Sequence, residues 1–156
     1  MRPSCALIAA TLVAASPLAF GQGRPDYGMP INAQQAKMAA AAAVAVMNEN
    51  DWAMAVAVVD PSGNLVYFEK IDATQHASVE IAIQKAKSAA AFKRPTKVFA
   101  DGIANNPGLG TLPGVVGSEG GVPIVVNGRI IGAIGCSGGT GQQDGVACTA
   151  GAGALH

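Results

Sequence analysis

His76 and Glu119 are the two side chains of this sequence whose type and position suggest chemistry. His76 directly precedes the amphipathic segment ASVEIAIQKAKSAAAF, so it marks the start of a predicted helix. A histidine at a helix start is most often a cap or a surface group, and the alternative is a contact to a bound ligand. Neither an H-x-x-x-H nor a C-x-x-C spacing occurs, so the sequence predicts no metal site built from paired histidines or cysteines.

Glu119 begins the segment EGGVPIVVNGRIIGAIGCSGGT, residues 119–140, in which glycine clusters flank two apolar runs. The Asn-Gly pair between those runs predicts a two-residue type I′ turn. With that turn at the tip, Gly120 falls opposite Gly135 and Glu119 beside Cys136, so the glycine clusters meet at the open end of one hairpin. Glu119 is then either a solvated loop carboxylate or an acid that faces a glycine-lined site.

The elements that must position these residues are strands covered by helices. Both faces of the hairpin are apolar, as are those of the earlier strand pair AMAVAVVD and LVYFEKI, and a sheet apolar on both sides needs helices above and below it. Consecutive hairpins favour a mainly antiparallel sheet with the first and last helices on one face. The predicted helices are Asn32 to about Asn48, with Asn32 and Gln35 at capping-box spacing, the segment after His76, KVFADGI capped by Thr96, and about Gln142 to Leu155.

Several polar groups near these elements suit an anionic ligand. Gly138 and Gly139 lie in GGTGQ before the last helix, where backbone N–H groups can bind a carboxylate or phosphate, although such clusters are also common in plain turns. Lys85 lies at the border of the apolar face of its helix. Three basic residues follow it: Lys93, Arg94 and Lys97. This basic cluster is either a solvated helix end, which the helix dipole favours, or a site for ligand carboxylates.

Composition and compartment limit the partners. Ten Lys plus Arg balance ten Asp plus Glu, so the chain lacks the basic stripe of a nucleic-acid-binding protein. Residues 1–21 are predicted to be a secretory signal peptide, because Arg2 precedes an uncharged run, Cys5 to Ala15, and the small residues Ala19 and Gly21 follow as a cleavage signal. The apolar run is too short for a typical membrane span. A single domain, residues 22–156, then remains, periplasmic or secreted and with no membrane span. In that compartment Cys136 and Cys148 are either a disulfide or two small buried hydrophobic residues.

Two long segments, VAVVDPSGNLVYFEKIDATQHASVEIAIQKAKSAAAFKRPT and LPGVVGSEGGVPIVVNGRIIGAIGCSGGTGQQD, closely resemble the GlcG/HbpS-like haem-binding family. The resemblance rests on KRPT at 93–96, EGGVPI at 119–124 and G-x-I-G-x-S-G-G at 132–139. It implies a profilin-like three-layer α/β/α fold, in the α/β (α+β) class, with a five-stranded antiparallel sheet. It also implies haem binding in some members and a tendency to form homo-oligomers. KIDA at 70–73 stands where many members have an arginine-methionine-aspartate-glycine run.

The resemblance carries over no iron ligand, but Thr96, Glu119, Gly120 and Gly121 match motif positions and His76 is the best iron ligand that the chain offers. The leading hypothesis is an exported small-molecule binding protein, for haem or a related tetrapyrrole, with the basic cluster near the imidazole meeting the propionates. The residues expected to bind the ligand are His76, Lys85, Arg94, Thr96, Glu119, Gly120, Gly121, Gly138 and Gly139.

Two other functions stay open at this point. One is an enzyme acting on a small carbonyl or hydroxy compound, with Glu119 as acid or base and glycine N–H groups holding an oxyanion. The other is an interaction module whose glycine-rich ends are subunit contacts, since an alanine-rich chain with few charges leaves apolar surface to cover.

Overall fold

The structure of the protein is a computed structural model that describes residues 23–156. The signal peptide predicted over residues 1–21 therefore lies outside the described residues. Within them, the elements in chain order are β1 (Asp26–Tyr27), α1 (Ala33–Glu49), β2 (Ala55–Val59), β3 (Leu65–Lys70), α2 (Ala77–Phe92), α3 (Lys97–Ile103), a 3-10 helix (Pro107–Thr111), β4 (Gly121–Val126), β5 (Arg129–Ser137) and α4 (Gly141–Ala152).

The five strands form one mixed sheet with β5 at its centre. β4 pairs antiparallel along one side of β5, while β2 pairs antiparallel with the second half of the other side, and β3 pairs with the outer side of β2. β1 pairs parallel with the first two residues of β5. The prediction of an antiparallel sheet is therefore wrong for β1. The N–H groups of Gly28 and Ile31 hold it by donating to the carbonyl oxygens of Ile130 and Ile131.

Helices lie on both faces of the sheet. α1 and α4 pack around one face, which presents Val56, Val58 and Ile134. α2 packs on the other face against small strand residues such as Ala57 and Ala133. The contact is so close that a Cβ added at Gly135 would meet the backbone carbonyl of α2. Small residues on both sides therefore let the helix backbone rest almost directly on the sheet.

The turn of the β4–β5 hairpin is the one predicted. Asn127 and Gly128 have positive φ angles of 51° and 72°, as a type I′ turn requires, and Val126 pairs with Arg129. The Asn-Gly pair fixes this geometry because both residues tolerate the left-handed conformation.

The register beyond that turn differs from the prediction. Ile131 is an extra residue in β5, a β-bulge that shifts every later pair by one position. Gly121 therefore stands opposite Gly135, one residue later than expected. The predicted pairing of Glu119 with Cys136 is wrong for the same reason, since Glu119 lies before the paired residues of β4.

Side-chain caps start the first and last helices. Asn32 and Gln35 form the predicted capping box of α1, with each side chain bound to the backbone N–H of the other residue. Thr140 and Gln143 form an equivalent box at the start of α4, which the sequence analysis did not identify. α4 ends at Ala152, short of the predicted end at Leu155, and leaves a short turn at the end of the described chain.

A disulfide joins Cys136 of β5 to Cys148 of α4, with 5.7 Å between the two Cα atoms. Of the two alternatives left open by the sequence, the structure has the bridge. Both cysteines are fully buried. The bridge pins to the sheet a helix whose own stability is lowered by glycines such as Gly145 and Gly151.

Candidate functional site

A buried ion pair between Lys85 of α2 and Asp144 of α4 lies beneath the glycine-rich end of the hairpin. Lys85 Nζ is 2.6 Å from Asp144 Oδ2, and the two side chains are 2% and 4% exposed. Lys85 Nζ also donates to the carbonyl oxygen of Cys136 at 3.2 Å. The second carboxylate oxygen, Asp144 Oδ1, accepts the N–H of Gly139 at 3.1 Å. One ion pair therefore joins two helices, the end of β5 and the loop that follows it.

Burial raises the pKa of the Asp144 carboxyl above its ordinary value, because a charged group loses its hydration in the interior. The hydrogen bond and charge of Lys85, together with the N–H groups of Gly138 and Gly139, act in the opposite direction. A carboxylate in this position depends on all of these donors, because each one replaces a water molecule that burial has removed.

Thr96, Gly120 and Gly121, three predicted ligand-binding residues, are buried next to this ion pair. Thr96 and Gly121 exchange two hydrogen bonds, N–H to carbonyl and N–H to hydroxyl, each 2.9 Å long. Thr96 occupies the predicted N-cap position of α3, but its hydroxyl accepts the Gly121 N–H and makes no cap hydrogen bond with the helix. A Cβ at Gly121 would meet the backbone carbonyl of Lys85, and one at Gly120 would meet Asp144. These residues hold α2, α3 and β4 together, and their role in ligand binding stays a prediction.

Beside the ion pair is an open cleft of about 320 Å³. We call it the Trp52 cleft, and its lining residues are Asp51, Trp52, Ala53, Ala73, Gln75, Gly138, Gly139 and Gln143. A neighbouring concavity of about 230 Å³ shares Asp51, Trp52 and Ala53. The half-buried indole of Trp52 therefore stands between two concave surfaces. Two of the predicted ligand-binding residues, Gly138 and Gly139, belong to this lining.

The backbone around the Trp52 cleft adopts conformations that most side chains avoid. Asp51 and Ala73 have left-handed φ angles of 55° and 65°, and Gly138 has a φ of 149°. The left-handed conformation costs a residue other than glycine about 1 to 2 kcal/mol. Backbone strain of this kind concentrates at binding sites, so its presence here marks the cleft as a candidate site.

His76 follows the lining residue Gln75 in the chain and does not itself line the cleft. Its side chain is exposed and makes no cap hydrogen bond with α2. The Ser137 hydroxyl donates to the Ser78 hydroxyl at 3.2 Å, which ties the start of α2 to the end of β5 just before Gly138. The first turn of α2, which begins one residue after His76, is thus tied to the strand end that leads into Gly138. Within residues 23–156, no three His, Cys, Asp or Glu side chains are grouped as metal ligands.

Arg94 and the rest of the basic cluster lie beyond the opposite end of α2. A helix of 16 residues is about 24 Å long, so His76 and Arg94 are separated by that distance or more. Lys93 Nζ lies 4.3 Å from the centre of the Tyr27 ring, and the Arg94 guanidinium lies 5.6 Å from that of Phe99. The expectation that the basic cluster lies near the imidazole is therefore wrong, because an entire helix separates the two.

Glu119 is partly buried, with its side chain 25% exposed, and its carboxylate is 3.9 Å from Lys97 Nζ. It packs on Gly145 of α4, where an added Cβ would overlap the carboxylate. Two of the N–H groups that the enzyme hypothesis requires for an oxyanion, those of Gly121 and Gly139, already donate to side chains of the protein. Acid or base catalysis by Glu119 stays a prediction, but these two N–H groups are not available to hold an oxyanion.

Trp52 and Asp144 were not predicted as site residues from the sequence. Trp52 lies in a short irregular stretch between α1 and β2, and no local pattern marks it as part of a site. Asp144 had a usable indication, because the Thr140 and Gln143 spacing predicts a helix start and puts Asp144 in its first turn. Asp144 and Cys148 are four residues apart, so the helix directs both side chains toward the sheet.

The residues described have a mixed α+β fold, with the Trp52 cleft as a candidate ligand site on its surface. The family described as "Haem degrading protein HbpS-like" matches residues 31–153, and the chain belongs to this HbpS-like family. Protein GlcG of Escherichia coli K12 is 36% identical over 108 residues, which cover 69% of this chain and 81% of that protein.

Solved structures agree with this assignment. A crystal structure of a Streptomyces reticuli HbpS double mutant has a TM-score of 0.77 and 31% identity, covering 92% of this chain and 99% of that one. The crystal structure of a PduOC:heme complex has a TM-score of 0.73 over 82% of this chain and 96% of that one, and at 23% identity it shows the fold alone. In residues 23–156 we find no helix with the length and apolar character needed to span a membrane.

Proposed function

We propose that the protein binds haem or a related tetrapyrrole in the Trp52 cleft, with His76 as the iron ligand. The observation that carries the proposal is an exposed imidazole, free of any cap hydrogen bond, beside a concave surface with an indole in its wall. Imidazole is a common axial ligand of haem iron, and a flat macrocycle packs well against an aromatic ring and bare glycine backbone. The description of the family and the existence of a haem complex on this fold support the choice of ligand.

The chemistry of the cleft residues fits such a group. His76 offers a ring nitrogen, Trp52 offers aromatic surface, and the amides of Gln75 and Gln143 offer donors for carboxylates. The described residues that line the cleft include one acid, Asp51, and no basic residue, so the proposed orientation keeps the ligand carboxylates away from Asp51 and toward solvent. When bound, haem supplies the iron centre, and the chain holds and orients it.

A titration of the purified protein with haemin, followed at the Soret band, tests the proposal. We expect a saturable shift in the wild type and an affinity about tenfold lower or more in His76→Ala, because the residue that would hold the iron is lost. Arg94→Ala is the control, since it removes a cation at the far end of α2 and is expected to leave the affinity unchanged. The absence of a saturable shift in the wild type would refute haem binding. A loss of haemin affinity in Arg94→Ala but not in His76→Ala would place the site at the other end of α2.

We also propose that the protein is exported to the periplasm or secreted, with residues 1–21 removed as a signal peptide. The disulfide between Cys136 and Cys148 supports this proposal, because such bonds persist in oxidising compartments. Sequencing the N-terminus of protein recovered from the producing cells is the test. A chain that still begins at Met1 would contradict the proposal.

A homo-oligomer is the third part of the proposal, together with the profilin-like character of the fold. Large apolar side chains are exposed on the single chain, including Met29 at 83%, Val146 at 54% and Met38 at 50%. Subunit contacts would cover such surface. Light scattering decides, and a monomer mass that does not change with concentration would reject the oligomer.

A further inference from the structure

The ion pair of Lys85 and Asp144 lies directly beneath one wall of the Trp52 cleft. Gly138 and Gly139 form this wall, and the Gly139 N–H donates to Asp144 Oδ1 at 3.1 Å. Asp144 itself is only 3% exposed, so a ligand in the cleft cannot reach its carboxylate. The backbone that a ligand would meet is therefore held from below by a group that the ligand does not touch.

We propose that Asp144 is a positioning residue for ligand binding in the Trp52 cleft. The inference rests on the function proposed above. The two carboxylate oxygens have different roles: Oδ1 holds the Gly139 N–H, and Oδ2 binds Lys85 Nζ at 2.6 Å. Lys85 also donates a hydrogen bond to the carbonyl oxygen of Cys136, two residues before Gly138. The ion pair therefore binds the backbone both before and after Gly138.

Substitutions at both positions separate this role from simple stabilisation. In Asp144→Asn, the Lys85 ammonium attracts the amide oxygen and turns the amide NH₂ toward the Gly139 N–H, so the wall loses its acceptor. If Lys85→Met is added, the amide oxygen is free to accept the Gly139 N–H. The variants Lys85→Met/Asp144→Asn and Lys85→Met/Asp144→Ala both lack the buried charges, and only the first retains an acceptor for the wall.

Two measurements are made on each variant: haemin affinity from the Soret band, and the hydrogen-exchange rate of the Gly139 amide by NMR. Both double variants lose the contact of Lys85 with the Cys136 carbonyl, so they are compared with each other. We expect Lys85→Met/Asp144→Asn to keep slow exchange at Gly139. Lys85→Met/Asp144→Ala is expected to bind haemin roughly three- to tenfold more weakly than that variant and to exchange faster at Gly139, because one further hydrogen bond is removed. The single variant Asp144→Asn is expected to behave like the alanine variant.

Equal haemin affinity and equal Gly139 exchange in the two double variants would overturn the inference and leave Asp144 a purely stabilising residue. If the wild type does not bind haemin, the proposed function fails, and the exchange rates alone then decide whether Asp144 holds the wall. If Asp144→Asn does not fold, the double variants still decide, because neither of them buries an unpaired charge. Circular dichroism establishes folding before either measurement.

Discussion

Removing the bridge between Cys136 and Cys148 should lower the stability of the protein by an amount that can be worked out from the structure. The two cysteines are 12 positions apart, and closing a loop of that size lowers the entropy of the unfolded chain by the equivalent of about 3 kcal/mol at 25 °C. α4 has little reserve to offset this loss, because each interior glycine costs about 1 kcal/mol relative to alanine. The variant Cys136→Ala/Cys148→Ala is therefore expected to unfold about 3 kcal/mol more easily than the oxidised wild type.

Urea denaturation of the variant and of the oxidised wild type measures this difference, with the reduced wild type as a control for the volume lost in the alanine variant. Titration of thiols in the denatured, unreduced wild type establishes that the bridge is present. In protein that lacks residues 1–21, we expect no free thiol. Two reactive thiols would refute the bridge, and a difference below about 1 kcal/mol would refute the argument that it restrains α4.

Three more predictions address the cleft and the loops. Ala73→Gly should stabilise the protein by about 0.5 to 1 kcal/mol, because Ala73 has a φ of 65°. The control Ala41→Gly, at an exposed position in the middle of α1, should destabilise it by about 1 kcal/mol, and thermal unfolding compares the two. Glu119→Gln should leave haemin affinity unchanged, because Glu119 packs on α4 outside the cleft lining, and a weaker Soret titration would place the ligand there instead. For Asp60, slight desolvation is outweighed by hydrogen bonds from Asn64, Ser62 and Gly63, which lower its pKa below 3.8. Its stabilising effect is therefore present above that pH and is lost as the pH falls through the folded pKa, so the gap in urea midpoint between wild type and Asp60→Ala should shrink in acid and not at neutral pH.

The parts of the fold that depend on local chemistry could be predicted from the sequence. The capping box of Asn32 and Gln35 and the Asn-Gly turn act within a few residues, so their spacing is enough. β1 could not be predicted in this way, because two residues show no periodicity and the strand exists only through hydrogen bonds to β5. The β-bulge at Ile131 escaped for a similar reason, since no residue type in that apolar run marks it.

The candidate site was harder to predict because its residues meet through tertiary contacts. Lys85 was interpreted as a ligand-binding cation at the border of an apolar face. Its partner Asp144 is 59 residues away in the chain, and the two form an ion pair that is buried inside the protein. His76 and Arg94 are near each other in the sequence, yet the helix between them is long enough to separate their environments completely. Residues far apart in the sequence can therefore be in contact, and residues closer in the sequence can be far apart in the structure.

The glycines at the open end of the hairpin have two separate structural roles. Gly121 and Gly135 lie against the backbone of α2, where a Cβ would collide, so these glycines allow a helix to pack directly on the sheet. Gly138 and Gly139, by contrast, line the Trp52 cleft. The motif glycines that sit under α2 therefore describe the scaffold and say little about what is bound. Ligand preference must instead depend on side chains that lie outside those motifs, with Trp52 in the cleft wall the first of them, because they alone change the cleft without changing the packing beneath it.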